Sequence, residues 1–116
     1  MAGREATLRA AGDAGVRFVL GTDANGRFVR HGGQLDELRR MSDAFGWSAE
    51  RTLTAATSDA AAAVGRGGSL GRVAPGFAPD LVIVRGRPWL DLGDLTTGNI
   101  VAVICRGQLV AGEIPR

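Results

Sequence analysis

A chain of 116 residues has room for one modest domain with a hydrophobic core. Its hydrophobic fraction of 45% and charged fraction of 22% are ordinary for a globular protein. No apolar run approaches the ~20 residues needed to cross a bilayer, and Met1-Ala2-Gly3-Arg4-Glu5 lacks the apolar core of a secretory leader, so a cytoplasmic location is expected. The formal charge of +2 is carried with no Lys at all, the arginines lie scattered among Asp and Glu, and the four Phe and two Trp do not cluster; neither a nucleic-acid nor a membrane partner is expected.

Residues 4 to about 14 predict a short helix, with Leu8 and Ala11 on one face and Gly15 as its C-cap. Val16-Arg17-Phe18-Val19-Leu20, β-branched and aromatic between glycines, predicts a largely buried strand. It runs into Gly21-Thr22-Asp23 and a polar loop, residues 24–33, that holds the single histidine, His31. Leu35, Leu38, Met41 and Phe45 recur at helical spacing, which predicts an amphipathic helix over 34–45 with Gly46 closing it. Ser48 then reads as the N-cap of a second helix reaching Gly65, with Leu53, Ala56, Ala60, Ala63 and Val64 as its apolar stripe.

From Arg66 onward the composition changes. Gly65, Gly67, Gly68, Gly71, Pro75 and Gly76 exclude a helix. Residues 81–84 and 100–105 predict strands, and Arg106-Gly107 predicts a tight turn into Leu109-Val110-Ala111, a hairpin. Two architectural pieces meet near residue 66.

Few residues offer chemistry. Asp23 follows the C-terminal end of an apolar strand, the edge at which α/β folds gather ligands and reaction centres; the alternative is a turn Asp bonded to its own backbone. His31 could contact a substrate or make only a local hydrogen bond, and a metal site of about four ligands cannot be assembled from one histidine and no CxxC. Cys105, the only cysteine, reads as a small core residue, and Asp91 and Asp94 as solvated turn residues. The run Gly65-Arg66-Gly67-Gly68-Ser69-Leu70 fails both GxGxxG and the lysine-containing phosphate loop, and no GxSxG elbow occurs.

The ordered motifs nevertheless resemble those of the amidohydrolase superfamily. Gly15-Val16-Arg17-Phe18-Val19-Leu20-Gly21-Thr22-Asp23-Ala24 is similar to its last barrel strand, and the match continues through His31-Gly32, Glu37-Leu38 and Met41. Gly46-Trp47-Ser48 through Leu53-Thr54-Ala55-Ala56-Thr57 resembles the "G-x-S/T-x-x-x-A-L-x-A-A-T" helix. Leu70-Gly71-Arg72-Val73-Ala74-Pro75-Gly76 with Ala78-Pro79-Asp80-Leu81-Val82-Ile83-Val84 resembles "L-G-x-I-x-P-G-x-x-A-D-L-V-V". Arg87-Pro88-Trp89-Leu90-Asp91-Leu92 stands where "N-P-L-x-D-I" is usual, and Val103 to Gly112 resembles the closing "V-x-x-V-x-x-x-G-x-x-V". Phe77 and Pro79 depart from the usual Lys and Ala, and Asn25-Gly26 alters the loop after Asp23.

The resemblance implies an α/β fold: residues 1–66 as the last strand and helices of a TIM-type (β/α)8 barrel, and 67–116 as part of a composite, sandwich-like β domain. It implies a hydrolase of carbon–nitrogen bonds in amides, cyclic amides or small peptides, of the Xaa-Pro dipeptidase-like and imidazolonepropionase-like branch. Asp23 would be metal ligand and general base toward a metal-activated water, His31 a substrate contact, and the cofactor a divalent metal, zinc. A carboxylate suits both tasks, as a hard anionic ligand with a free oxygen to accept a proton. A full barrel takes ~250 residues and the family's other ligands are histidines and a lysine or acid, so the resemblance implies a C-terminal fragment, inactive and marginally stable alone, with Met1 compatible with an internal methionine of a longer reading frame. The expected partners are a small amide or peptide substrate and either further copies of the chain or the N-terminal part of the same enzyme. The alternatives are a non-catalytic module that binds or oligomerises through an unfinished sheet, and one subunit of a split enzyme.

Overall fold

A computed structural model describes residues 2–21 and 33–116. Helix α1 (Ala2–Asp13) ends as the sequence requires: Gly15 takes φ +95°, and the N–H groups of Gly15 and Val16 reach back to the carbonyls of Gly12 and Ala11. Only glycine reaches that left-handed conformation without steric cost. Helix α2 (Gln34–Phe45) has the predicted bounds and buries Leu38, while Gly46 closes it at φ +68°. Asp36 pairs with Arg39 and Glu37 with Arg40 along its exposed side. The Arg9 guanidinium donates to the Asp43 carbonyl at 3.2 Å and ties α1 to α2.

The helix expected from Ser48 to Gly65 is two helices. Ser48 caps α3 (Ala49–Ala56), its hydroxyl accepting the Arg51 N–H. The chain then leaves helical geometry at Thr57 (φ −122°, ψ −90°) and resumes as α4 (Ser58–Ala63). Three threonine hydroxyls, of Thr52, Thr54 and Thr57, donate to carbonyls four residues earlier, a habit that bends and weakens helices. The buried face is Thr52, Ala55 and Ala61 rather than the predicted stripe, and Val64 stands exposed.

Residues 16–20 form no strand. Leu20 donates to the Ala55 carbonyl at 3.4 Å, but among the described residues the N–H groups of Arg17, Phe18 and Val19 meet no backbone acceptor. Val16 and Val19 are exposed rather than buried. A strand exists only through its neighbours, and the described residues offer this segment none.

The β structure follows the expectation closely. Strands β1 (Leu81–Val84), β2 (Ile100–Cys105) and β3 (Gln108–Gly112) form an antiparallel sheet in the order β1-β2-β3. The β2–β3 turn has Arg106 at φ 52° and Gly107 at φ 80°, the two positive angles of a twist-matched two-residue hairpin. Arg106 N–H donates to the Asp80 carboxylate and Gly107 N–H to the Pro79 carbonyl, which ties the hairpin tip to the entry of β1. Cys105, expected in the core, is exposed: it is the last residue of β2, where the strand runs out into the turn. Between β1 and β2, Asp91 accepts from Gly93 N–H and half-buried Asp94 from Arg87 N–H, so both organise the loop instead of merely facing solvent.

The core is thin. Among the described residues the buried apolar side chains are Leu38, Ala55, Ala61, Pro88, Leu92 and Ala102, three of them alanines. Val73, Val82, Trp89, Leu90, Val110 and Ile114 are each more than half exposed. No described helix is long and apolar enough to cross a membrane.

Candidate functional site

Asp23 and His31, the two candidate site residues, lie outside the described residues; the structure fixes the two stems that carry them. The first is the segment from Gly15 to Gly21, launched from the C-cap of α1. Its far end is held by the Leu20–Ala55 hydrogen bond, three residues before Asp23. The second stem is Gly33, whose carbonyl accepts the Asp36 N–H as α2 begins. Leu38 and Phe45 anchor α2 beneath, so both ends of the candidate loop rest on one helical layer.

An aromatic series braces the first stem. The Phe18 ring lies 4.6 Å from Phe45, Phe45 stacks on Trp47 at 4.5 Å and 18°, and the Arg51 guanidinium sits 4.2 Å from the Trp47 ring. Arg51 continues to Asp59 through a 3.1 Å ion pair. Offset ring contacts and a cation over indole each add a modest attraction beyond burial, and here they link the stem to α2, α3 and α4 in sequence. A cleft of about 300 Å³ lined by Arg17, Phe18 and Val19 and by Asp59, Ala62 and Ala63 of α4 opens beside this stem.

No three His, Cys, Asp or Glu side chains converge among the described residues. The sequence reading missed the Ala55 carbonyl and the Thr57 break as features of the stem. Their only sequence signal is the threonine spacing 52, 54, 57, which is common in ordinary helices.

These features define an α/β protein in which a short apolar segment is held against the helical layer by the Leu20–Ala55 hydrogen bond and the Phe18–Phe45 ring contact. The model of the Amidohydrolase family matches residues 2–110. An imidazolonepropionase from Chloroflexus aggregans is 38% identical over 112 residues, 90% of this chain and 25% of the relative. Among solved structures, a prolidase complexed with N-methylphosphonate-L-proline superposes with a TM-score of 0.81 at 32% identity, over 94% of this chain and 26% of its own. A Xaa-Pro dipeptidase with methionine bound in its active site gives 0.79 at 31% identity, over 93% and 25%. The chain belongs to the amidohydrolase family, and it spans about a quarter of the length of the relatives it matches.

Proposed function

We propose that this chain is the C-terminal part of a metal-dependent amidohydrolase that cleaves carbon–nitrogen bonds in cyclic amides or small peptides, proline dipeptides and imidazolone rings being the nearest substrate classes among its relatives. Residues 1–66 are the last strand and helices of a (β/α)8 barrel, and 67–116 belong to a composite β domain. The observation that carries this reading is the segment 16–20. It is apolar and β-branched, half open to solvent, unanswered at three successive N–H groups among the described residues, and it leads directly to Asp23. That is how a barrel strand stands when its two neighbours belong to another part of the enzyme.

Asp23 then lies at the C-terminal end of that strand, where barrel enzymes place their chemistry. A bound divalent metal, zinc by the family resemblance, would supply Lewis-acid polarisation and a lowered water pKa. Asp23 would help hold the metal and would serve as the general base that accepts a proton, and His31 would contact the substrate. The exposed outer edges of β1 and β3 and the apolar side chains Val82, Leu109 and Val110 favour completion of the sheet by further strands.

The test begins with the intact mass of the native protein in its source cell, read through a peptide containing Asp23. A species several times heavier than 12.0 kDa that hydrolyses Xaa-Pro dipeptides or imidazolonepropionate, with Asp23→Asn lowering kcat by about 10²–10⁴-fold, is expected. A 12.0 kDa species without hydrolytic activity, alone or with a partner chain, would overturn the proposal in favour of a binding module.

A further inference from the structure

Arginines that lie scattered along the sequence are partly gathered by the fold. A cleft of about 250 Å³ opens where α1, the start of the segment 15–21 and α3 meet. Arg9, Arg17 and Arg51 all line it, together with Asp13, Phe45 and Trp47. The three guanidinium groups come from three separate parts of the chain, so their arrangement is set by the tertiary fold. Arg51 is balanced by Asp59 at 3.1 Å and sits 4.2 Å from the Trp47 ring. Arg9 is held by a neutral group, the Asp43 carbonyl at 3.2 Å, which engages one of its five donors and leaves its charge unanswered. Neither Arg9 nor Arg17 forms an ion pair among the described residues. Asp13 alone faces these two arginines across the cleft, which therefore keeps a net positive charge.

We propose that this cleft is a binding site for inorganic phosphate, with Arg9, Arg17 and Arg51 as its ligands. Guanidinium forks match the oxygens of phosphate and carboxylate alike, and the geometry separates the two. A tetrahedral ion offers oxygens in several directions, as arginines approaching from three elements require, whereas a carboxylate offers two in one plane. The Phe45 and Trp47 rings are already engaged with each other, with Phe18 and with Arg51, which leaves charge and hydrogen bonds as the means of recognition. The cleft is also smaller than the about 300–1,000 Å³ typical of pockets for larger organic ligands. A bound ion would bridge α1, the segment and α3, and would stabilise the folded protein by mass action.

The experiment titrates inorganic phosphate into the full-length protein by calorimetry at constant ionic strength, and repeats the titration with acetate. One saturable site is expected, with a Kd of about 1 mM or tighter, and acetate should bind much more weakly. Phosphate should slow amide exchange in the peptides that cover residues 9–17 and 45–51. Arg9→Gln and Arg17→Gln should each weaken binding about 10- to 100-fold, the factor for losing hydrogen bonds to a charged group. Arg17→Lys, which keeps the charge and loses the fork, should fall between. Arg40→Gln removes the same charge from the exposed side of α2 and should change the Kd by less than about twofold, because distant exposed charges are screened. The absence of saturable uptake below about 10 mM phosphate would overturn the proposal. So would acetate binding of equal strength, a Kd that both glutamine variants leave unchanged, or an exchange footprint confined to other peptides. If a variant melts early without phosphate, the footprint on the wild-type protein decides.

Discussion

Gly71 offers the sharpest test of how the glycine-rich stretch meets the helices. It takes φ +86°, and a Cβ built there would stand 2.7 Å from the Thr57 carbonyl oxygen, 2.9 Å from the Ala61 Cβ and 3.0 Å from the Ser58 Cα. Two of these three atoms are backbone, so no side-chain rotation can relieve the contact. Replacing Gly71 by Ala adds about 1–2 kcal/mol for a non-glycine residue in left-handed geometry and about 1–3 kcal/mol for overpacking at the α3–α4 junction. The total is about 2–5 kcal/mol. Gly68 is the internal control: a Cβ there meets nothing within 4 Å and its φ is not positive, so Gly68→Ala should be neutral or slightly stabilising. Equilibrium urea unfolding of the two variants, with equal m values, should place the Gly71→Ala midpoint about 1–2 M lower. A difference under about 0.5 kcal/mol between them would refute the claim that Gly71 is fixed by close approach to the helix break.

Other outcomes follow from the sheet. Cys105 should react with a thiol reagent in the native protein without denaturant, since it is exposed at the end of β2; reaction only after unfolding would restore the core reading. Asp80→Ala removes the carboxylate that accepts the Arg106 N–H at 2.8 Å. It should cost about 1 kcal/mol and speed amide exchange at the hairpin tip, whereas an unchanged Arg106 amide would show that the Gly107–Pro79 bond alone holds the turn.

What the sequence made legible was whatever depends on a residue and its near neighbours. Helix α2 has its expected bounds because an apolar spacing of three and four residues and Gly46 are both local signals, and the Ser48 cap and the Arg106-Gly107 turn are equally local. The failures share the opposite property. Residues 16–20 carry strand composition, but a strand needs a ladder partner, and composition does not say whether the partner belongs to the same stretch of chain. At Thr57 a run of good helix formers is interrupted, and propensity sums do not resolve the narrow margin on which such an interruption depends. Cys105 was assigned by its apolar neighbours, yet as the last residue of the central strand it takes its environment from the turn that follows. Asp23 was singled out by its place after the apolar run 16–20 and then by the family's motif order, but no short-range feature separates a ligand from a turn residue, and Asp23 and His31 both lie outside the described residues.

The hairpin tie between Asp80 and Arg106 also dictates an order of assembly. The β2–β3 pair closes over two residues and can form in about 1–10 μs, but β1 joins only after the longer loop between Val84 and its partner Ile100 has closed, a slower step because chain entropy must be surrendered before any pairing is gained. During synthesis β1 leaves the ribosome first and waits, its Leu-Val-Ile-Val run bare, until the hairpin arrives. Asp80 and Arg85, the charged residues at its two ends, are then its guards against pairing with the wrong chain.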